Sequence, residues 1–289
     1  MNTALQKNRI NRALYELHRN LSQPLSASQL AACANYSEQH FHRIFRQVTG
    51  ESVNAYSRRI RLEAAANQLM FTPQRAVIEI AQKCGFQSLA SFGHAFKQQF
   101  GCSPGQWRTQ RIAQQTPAYL ADKEIAAAFA RLKHVEVAEP EYIELPDIHV
   151  AYIRHQGYGR HIKRSWQLLR AWAKHAGHPF EQQYGLHHSN PVQTPLQHCR
   201  YVACLAVAGP VERHSAINTL SIPGGLHAKF DFSGRYGELL PLITKVQQQW
   251  LTQTQLSAKT TPAFVHYRKN HFLAADECFE LSFYLPLEF

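Results

Sequence analysis

Gln39, His42, Arg43 and Arg46 fall on one side of a short helical pattern, with Phe41, Ile44, Phe45 and Val48 on the other. Arginine can give two parallel N–H bonds to guanine, and glutamine can exchange two hydrogen bonds with adenine. Such residues projecting from one helix face are suited to reading base edges in a DNA major groove. A second set, Ala90, Ser91, His94 and Lys97, lies opposite Phe92, Ala95, Phe96 and Phe100. It is poor in bidentate donors. Phosphate contacts, apolar contacts to thymine methyls and shape readout are therefore expected of it more than a hydrogen-bond code.

The elements that position these residues are duplicated. Leu30-Ala31 matches Ile80-Ala81 and Tyr36 matches Phe86 at an offset of 50, whereas Phe41, Phe45, Gly50 and Tyr56 match Phe92, Phe96, Gly101 and Trp107 at 51. One residue is thus inserted in the turn. Each copy reads as a short Ala-rich helix, a tight turn, and a second helix capped by Ser37 or Ser88 and stopped by glycine, which is a helix-turn-helix twice over. Between them Val53 to Met70 is a helical pattern ended by Thr72-Pro73, carrying Arg58, Arg59 and Arg61. A helix of about 17 residues spans roughly 25 Å. With its neighbours it is expected to hold two recognition helices about one DNA turn, ~34 Å, apart, so that a single chain occupies two adjacent major grooves.

Charge supports the same reading. Residues 1–113 hold 14 Lys+Arg against 5 Asp+Glu, a net of +9, while residues 114–289 hold 17 against 15, a net of +2. A cationic surface on a helix-turn-helix matches what a phosphate backbone requires, because each neutralised phosphate releases condensed counterions. The whole chain, 289 residues with 45% hydrophobic content, is long enough for two domains. No apolar run approaches the ~18–20 residues that span a bilayer, and the first residues lack the apolar core of a signal peptide, so a cytoplasmic protein without a membrane partner is expected. The six cysteines show no CxxC, and the histidines form no HExxH or Cys/His ligand set, so neither a disulfide framework nor a metal or other cofactor is expected.

Residues 8–111 resemble the DNA-binding domain of the AraC/XylS family of transcription regulators. The resemblance is carried by YSEQHFHRIFRQVTG (36–50) and IAQKCGFQSLASFGHAFKQQFGCSPGQWR (80–108). It implies an all-α double helix-turn-helix domain bound to double-stranded promoter DNA, with RNA polymerase a further candidate partner. Against the branch that places this domain first in the chain, Gln39 stands where a tryptophan is usual, His42 where a glutamine is, and His94 where a second-helix arginine is. Arg43 keeps the arginine.

Residues 109–134 are Gln/Ala-rich without a large apolar face and read as a connector with room for a helical part, so that residues 1–113 are expected to form the DNA-binding domain, 114–134 a linker and 135–289 a second domain. After Val135 the texture changes to β-type runs punctuated by Pro and Gly. A second duplication appears there. Leu145-Pro146, Ala151 and Gly157 pair with Ile222-Pro223, Ala228 and Gly234 at an offset of 77, and Tyr158-Gly159 and Trp172 pair with Tyr236-Gly237 and Trp250 at 78. Two pseudo-symmetric β-α-β-β units make an α+β domain with a groove between the halves.

This half is similar to the gyrase-inhibitor-like effector-binding domain of multidrug-sensing regulators, in ELPDIHVAYIRHQGYG (144–159), NPVQTPLQHCRYVACLAV (190–207), IPGGLHAKFDFSGRYGEL (222–239) and the terminal FYLPL (283–287). The resemblance implies an aromatic-lined pocket for a small amphipathic, often cationic molecule. Relatives often carry an acidic residue four before the terminal proline, where Ser282 stands here; Glu280, on the same strand face, either substitutes for it or is a rim glutamate. Tyr158 and Tyr236 beside the turn glycines, Tyr284 on the strand, and Trp166 on a helix complete the candidate ligand contacts, although helical aromatics more often serve a core. The leading expectation is a non-enzymatic, ligand-responsive transcription regulator. A small-molecule hydrolase using Glu280 and the tyrosines, or a protein-docking module, are the alternatives for the second half.

Overall fold

A computed structural model describes residues 3–288 apart from 20, 24, 73, 115–116, 210, 212–216 and 255. The chain divides into two compact units, residues 1–114 with 213–218, and the remainder.

The first unit is helical: α1 (Thr3–Arg19), α2 (Ala27–Cys33), α3 (Glu38–Thr49), α4 (Val53–Phe71), α5 (Val77–Lys83), α6 (Leu89–Phe100) and α7 (Pro104–Gln114). Both helix-turn-helix motifs are present, as α2–α3 and α5–α6. Each turn needs one left-handed residue, supplied by Asn35 (φ 54°) in the first copy and Gly85 (φ 78°) in the second. Each second helix then ends on a left-handed glycine, Gly50 or Gly101. Ser88 caps α6 through the amide of Ser91, whereas Ser37 has the extended backbone of a cap but makes no capping bond. The core is aromatic: Phe41, Phe45 and Tyr56 in the first copy and Phe92, Phe96 and Trp107 in the second are at most 2% exposed.

The three arginines of α4 do not act alike. Arg58 is exposed. Arg59 is held by Glu51 at 3.0 Å and Glu63 at 2.9 Å; burial works against its charge, but the two carboxylates outweigh it and raise its pKa. Arg61 turns inward and donates from Nε to the Cys84 carbonyl (2.7 Å) and from Nη2 to the Gly85 carbonyl, with its guanidinium 4.3 Å from the Phe86 ring centroid. Arg9 of α1 does the same for the first copy, reaching the Asn35 carbonyl (3.3 Å) and lying 5.1 Å from the Tyr36 ring. The repeat therefore includes the preceding helix. Each turn is held by an arginine from that helix, bonded to the carbonyl of the left-handed residue and stacked on the aromatic that follows it.

In the second unit, the segment read as a linker is folded. After a 3₁₀ turn (Ala118–Ala121), helix α8 (Lys123–Arg131) begins with Asp122 accepting from the amides of Glu124 and Ile125. Tyr119, Ile125 and Ala128 are buried, and the amides of Ala118 and Tyr119 donate to the carbonyls of Val192 and Pro191. The connector is thus part helical, with a narrow apolar face that is packed rather than solvated.

The rest is β1 (Glu141–Leu145), β2 (Ile148–Gln156), α9 (Ile162–Ala176), β3 (Gln183–His187), β4 (Arg200–Ala206), β5 (Asn218–Ile222), β6 (Gly225–Arg235), α10 (Leu239–Lys245) continued by a π-helical turn (Val246–Leu251), β7 (Ser257–Ala258), β8 (Ala263–Lys269) and β9 (Cys278–Glu288). The sheet order is β1-β6-β9-β8-β3-β4-β2-β5, with β7 on β9. The two β-α-β-β units are β2-α9-β3-β4 and β6-α10-β8-β9, meeting at the β3–β8 pair. The leading strands are exchanged. β1 precedes β2 in the chain but pairs with β6, and β5 precedes β6 but lies beside β2. Each half thus ends on a strand from the other. Gly224 sits at this crossing, where a Cβ would come within 2.3 Å of the Leu145 carbonyl oxygen, so only glycine fits.

Candidate DNA interface and small-molecule cavity

On α3, Gln39, Arg43 and Arg46 are exposed and His42 is half-buried, opposite the buried Phe41, Ile44 and Phe45. Arg43 Nη2 lies 3.3 Å from His40 Nδ1 on the preceding turn, and His42 Nε2 lies 3.8 Å from Glu38. On α6, Ala90, Ser91, His94 and Lys97 are exposed together with Leu89. The Ser91 hydroxyl is engaged by the cap, donating to the Ser88 carbonyl at 2.9 Å. So α3 presents two exposed arginines and a glutamine, whereas α6 presents methyl-bearing side chains, one imidazole and one ammonium. The α3 face carries the kind of side chains that read base edges by hydrogen bonds, and the α6 face the kind that make apolar and phosphate contacts.

The second unit holds a small cavity of about 40 Å³, open to solvent, where its two halves meet. Tyr158-Gly159 at the start of α9 and Tyr236-Gly237 at the start of α10 line it together, as the duplication requires. The strands contribute Tyr201 and Tyr267, the segment after β8 contributes His271 and Phe272, β3 contributes His187, and α8 contributes Ile125. Tyr158 is fixed with its hydroxyl 3.1 Å from the Ser189 and Arg200 carbonyls. Tyr236 lies under Arg160, 4.1 Å from guanidinium to ring centroid, and Arg160 is itself paired with Glu124 at 2.7 Å and with Glu277. The Tyr201 and Tyr267 hydroxyls share a 3.2 Å hydrogen bond, and burial holds both well above the usual phenol range. Burial pushes His187 down to about 4, and burial with the nearby charges of His187 and Arg160 pushes His271 down to about 3. Both imidazoles are neutral at pH 7.

The candidate ligand contacts divide between two faces of the sheet. Tyr267 pairs with Leu281 and Phe230 with Phe283, and these face the cavity and the helices, where Trp250 packs on Phe230 (5.3 Å). By strand alternation Glu280, Ser282 and Tyr284 point to the opposite side. The expectation that they share a groove with Tyr158 and Tyr236 is therefore corrected. Glu280 is exposed. Ser282 donates to Asp231 at 2.6 Å and accepts from Arg268 at 2.8 Å, and Tyr284 stacks on Phe264 at 4.9 Å. The carboxylate beside Ser282 is Asp231 of β6. Partial burial disfavours its charge, yet Ser282, Arg268 and Lys229 hold its pKa below the usual range, so its charge is answered from within the protein. Trp166 is not on the cavity wall; fully buried, it stands behind Tyr267 with ring centroids 5.7 Å apart. His271 and Ile125 carry no motif in the sequence, and His187 stands out there only as the neighbour of His188, a pair poorly placed for a metal ion and read as surface or packing residues. Glu280→Gln is expected to change cavity-ligand affinity and thermal stability by less than about 0.5 kcal/mol, the usual range for an exposed position, as calorimetry and melting would show.

Residues 138–288 match the family described as the GyrI-like small molecule binding domain, and residues 30–110 match a family described as a helix-turn-helix domain. The chain is 41% identical over 92 residues to the right origin-binding protein of Escherichia coli (strain K12), covering 32% of each protein. It is 36% identical over 106 residues to the HTH-type transcriptional activator AarP of Providencia stuartii, covering 37% of this chain and 78% of that one. It is 42% identical over 82 residues to the HTH-type transcriptional regulator MtrA of Neisseria gonorrhoeae, covering 28% of this chain and 27% of that one. The matched segment thus spans about a third of the length of the right origin-binding protein.

Proposed function

We propose, from the premise that this chain belongs to the AraC-type helix-turn-helix regulators that carry a GyrI-like small molecule binding domain, that it binds double-stranded promoter DNA through α3 and α6 and regulates transcription in response to a small molecule held in the cavity between Tyr158 and Tyr236. The observation that carries the reading is the pairing of two helix-turn-helix copies, with exposed Gln39, Arg43 and Arg46 on the first, with an aromatic-lined cavity open to solvent in the second unit. A concave, largely apolar site with a few polar atoms suits a small ligand better than a docked macromolecule. The lining has no carboxylate, thiol or lysine, which favours binding over hydrolysis. RNA polymerase is the partner through which a promoter-bound regulator of this kind would act.

The DNA reading is tested residue by residue. Arg43→Ala is expected to lower affinity for the preferred site by about 2 kcal/mol and to relax the sequence preference, as loss of a bidentate base contact does. Lys97→Ala should weaken all sequences alike. Binding curves on a selected site and on random DNA check this; equal losses on both DNAs for both variants would contradict it.

A further inference from the structure

The two halves of the second unit share a fold but not a charge. Residues 148–206, which span β2-α9-β3-β4, hold 7 Lys+Arg against 1 Asp+Glu, a net of +6, whereas residues 225–288, which span β6-α10-β8-β9, hold 6 against 6, a net of zero. Four of the seven cations sit on α9. Its Ile162, Trp166, Leu169, Trp172 and Ala173 are buried where it packs on β2 and β4, while its outer side exposes Lys163, Arg164, Arg170 and Lys174, with no acidic residue anywhere in the helix. None of these four side chains is in an ion pair among the described residues. Lys163, Gln167, Arg170 and Lys174 recur at i, i+4, i+7 and i+11 and so form one stripe about 16 Å long. At the offset of 78 the counterparts of the four cations are Pro241, Leu242, Gln248 and Thr252. The helix of that half carries one cation, Lys245, which is buried and donates to the Lys133 carbonyl at 3.1 Å. The fold therefore does not require a cationic helix.

The arrangement also works against the helix itself. Lys163 and Arg164 place positive charge in the first turn, where the helix dipole is already positive, and Arg170 and Lys174 are like charges one turn apart. Charges that the fold neither needs nor neutralises answer something outside it. We propose that the outer face of α9 is a second DNA contact, independent of sequence, in which Lys163, Arg164, Arg170 and Lys174 lie along the phosphate backbone of duplex DNA. The inference goes beyond the reading of α3 and α6 as base readers, because it gives the unit read as a sensor a DNA contact of its own. A duplex carries about one negative charge per 1.7 Å of its axis, so a stripe of this length meets several phosphates, and each one neutralised releases counterions. An anionic membrane fits less well. A helix lying on a bilayer inserts its apolar face, and that of α9 is buried on the sheet. An acidic protein is the remaining occupant, and the test separates it from DNA.

The test uses the full chain and two variants of equal charge. One is Lys163→Gln/Arg170→Gln/Lys174→Gln on α9; the other, Lys123→Gln/Lys133→Gln/Arg235→Gln, removes three exposed cations elsewhere in the same unit. Affinities for a selected site and for random duplex are measured by fluorescence anisotropy across a range of salt concentrations. Loss of three phosphate contacts is expected to make the log–log slope shallower by about 2–3 on both DNAs and to weaken both about tenfold at 0.1 M salt. The preference for the selected site should be unchanged, because phosphate contacts carry no sequence information. The second variant should change the slope by less than about 0.5, since exposed charges far from the duplex are screened. Melting temperatures should not fall in either variant, which separates lost contacts from lost structure. A slope that changes equally in the two variants, or in neither, overturns the proposal while leaving α3 and α6 as the base readers. If the α9 variant keeps its DNA affinity but loses binding to polyglutamate that the unmodified chain shows, the surface fits an acidic protein and the proposal is overturned. If the unmodified chain binds no duplex at all, the DNA reading of the first unit falls together with this one.

Discussion

Lowering the pH from 7 to 5 is expected to destabilise the second unit by about 4 kcal/mol. His187 and His271 have folded pKa values of about 4 and about 3 against an ordinary 6.5. Their protons therefore bind the unfolded chain more readily, and stability falls as the pH drops through 6.5 and goes on falling until the folded values are reached. At pH 5 each histidine contributes a loss of about 2 kcal/mol, given about 1.4 kcal/mol per pH unit per proton. Four further histidines, His155, His188, His227 and His266, are shifted downward by burial in the same direction and add to the slope. Denaturant melts followed by tryptophan fluorescence would show it, since Trp166, Trp172 and Trp250 all lie in this unit. A stability that did not change between pH 7 and 5 would contradict the burial of these imidazoles.

Arg61→Ala is expected to destabilise the first unit by about 3 kcal/mol and to lose DNA binding as a consequence. The substitution strips the carbonyls of Cys84 and Gly85 of a charged donor and removes the guanidinium from the Phe86 ring. Hydrogen bonds to charged groups contribute roughly 1.5–3 kcal/mol each, and a partly desolvated cation–π contact adds about 1. Its guanidinium is turned onto the Cys84 and Gly85 carbonyls and the Phe86 ring, the placement of a structural rather than a phosphate-facing arginine. Arg58, exposed just under one turn earlier on the same helix, serves as the comparison: Arg58→Ala should leave the melting temperature unchanged. If Arg61→Ala kept full stability and lost only DNA affinity, Arg61 would be a phosphate contact and the clamp would be wrong.

Much of the fold was legible in the sequence because both units are duplicated, and a repeat aligns its own turns and caps. Phe41/Phe92, Tyr56/Trp107 and Tyr158/Tyr236 each mark an equivalent place in space. What was not legible has identifiable causes. The clamps Arg9 and Arg61 lie upstream of the matching segments, and an arginine's sequence neighbourhood does not say whether it turns toward a carbonyl or toward solvent. The exchange of β1 and β5 escaped because alternation marks a strand but not its partner. The packing of α8 escaped because Tyr119, Ile125 and Ala128 are too few and too small to give a broad apolar stripe. The largest correction, the placement of Glu280, Ser282 and Tyr284, is a matter of parity. A strand's residues alternate faces, so assigning the cavity to the even positions of β9 rather than the odd ones moved three residues across the sheet at once. His271 carries no sequence signal of its own, and His187 only that of its neighbour His188; what distinguishes the two is burial, visible only in three dimensions.

The most direct test of the central claim is the salt dependence of DNA binding by the full chain on a site selected from a random double-stranded library. If α3 and α6 enter adjacent grooves with the ~6–10 phosphate contacts usual for such proteins, log affinity should fall against log salt concentration with a slope of about −5 to −9, and one sequence class should be enriched. A slope near zero, or a library from which no sequence emerges, would contradict the reading of this chain as a DNA-binding regulator.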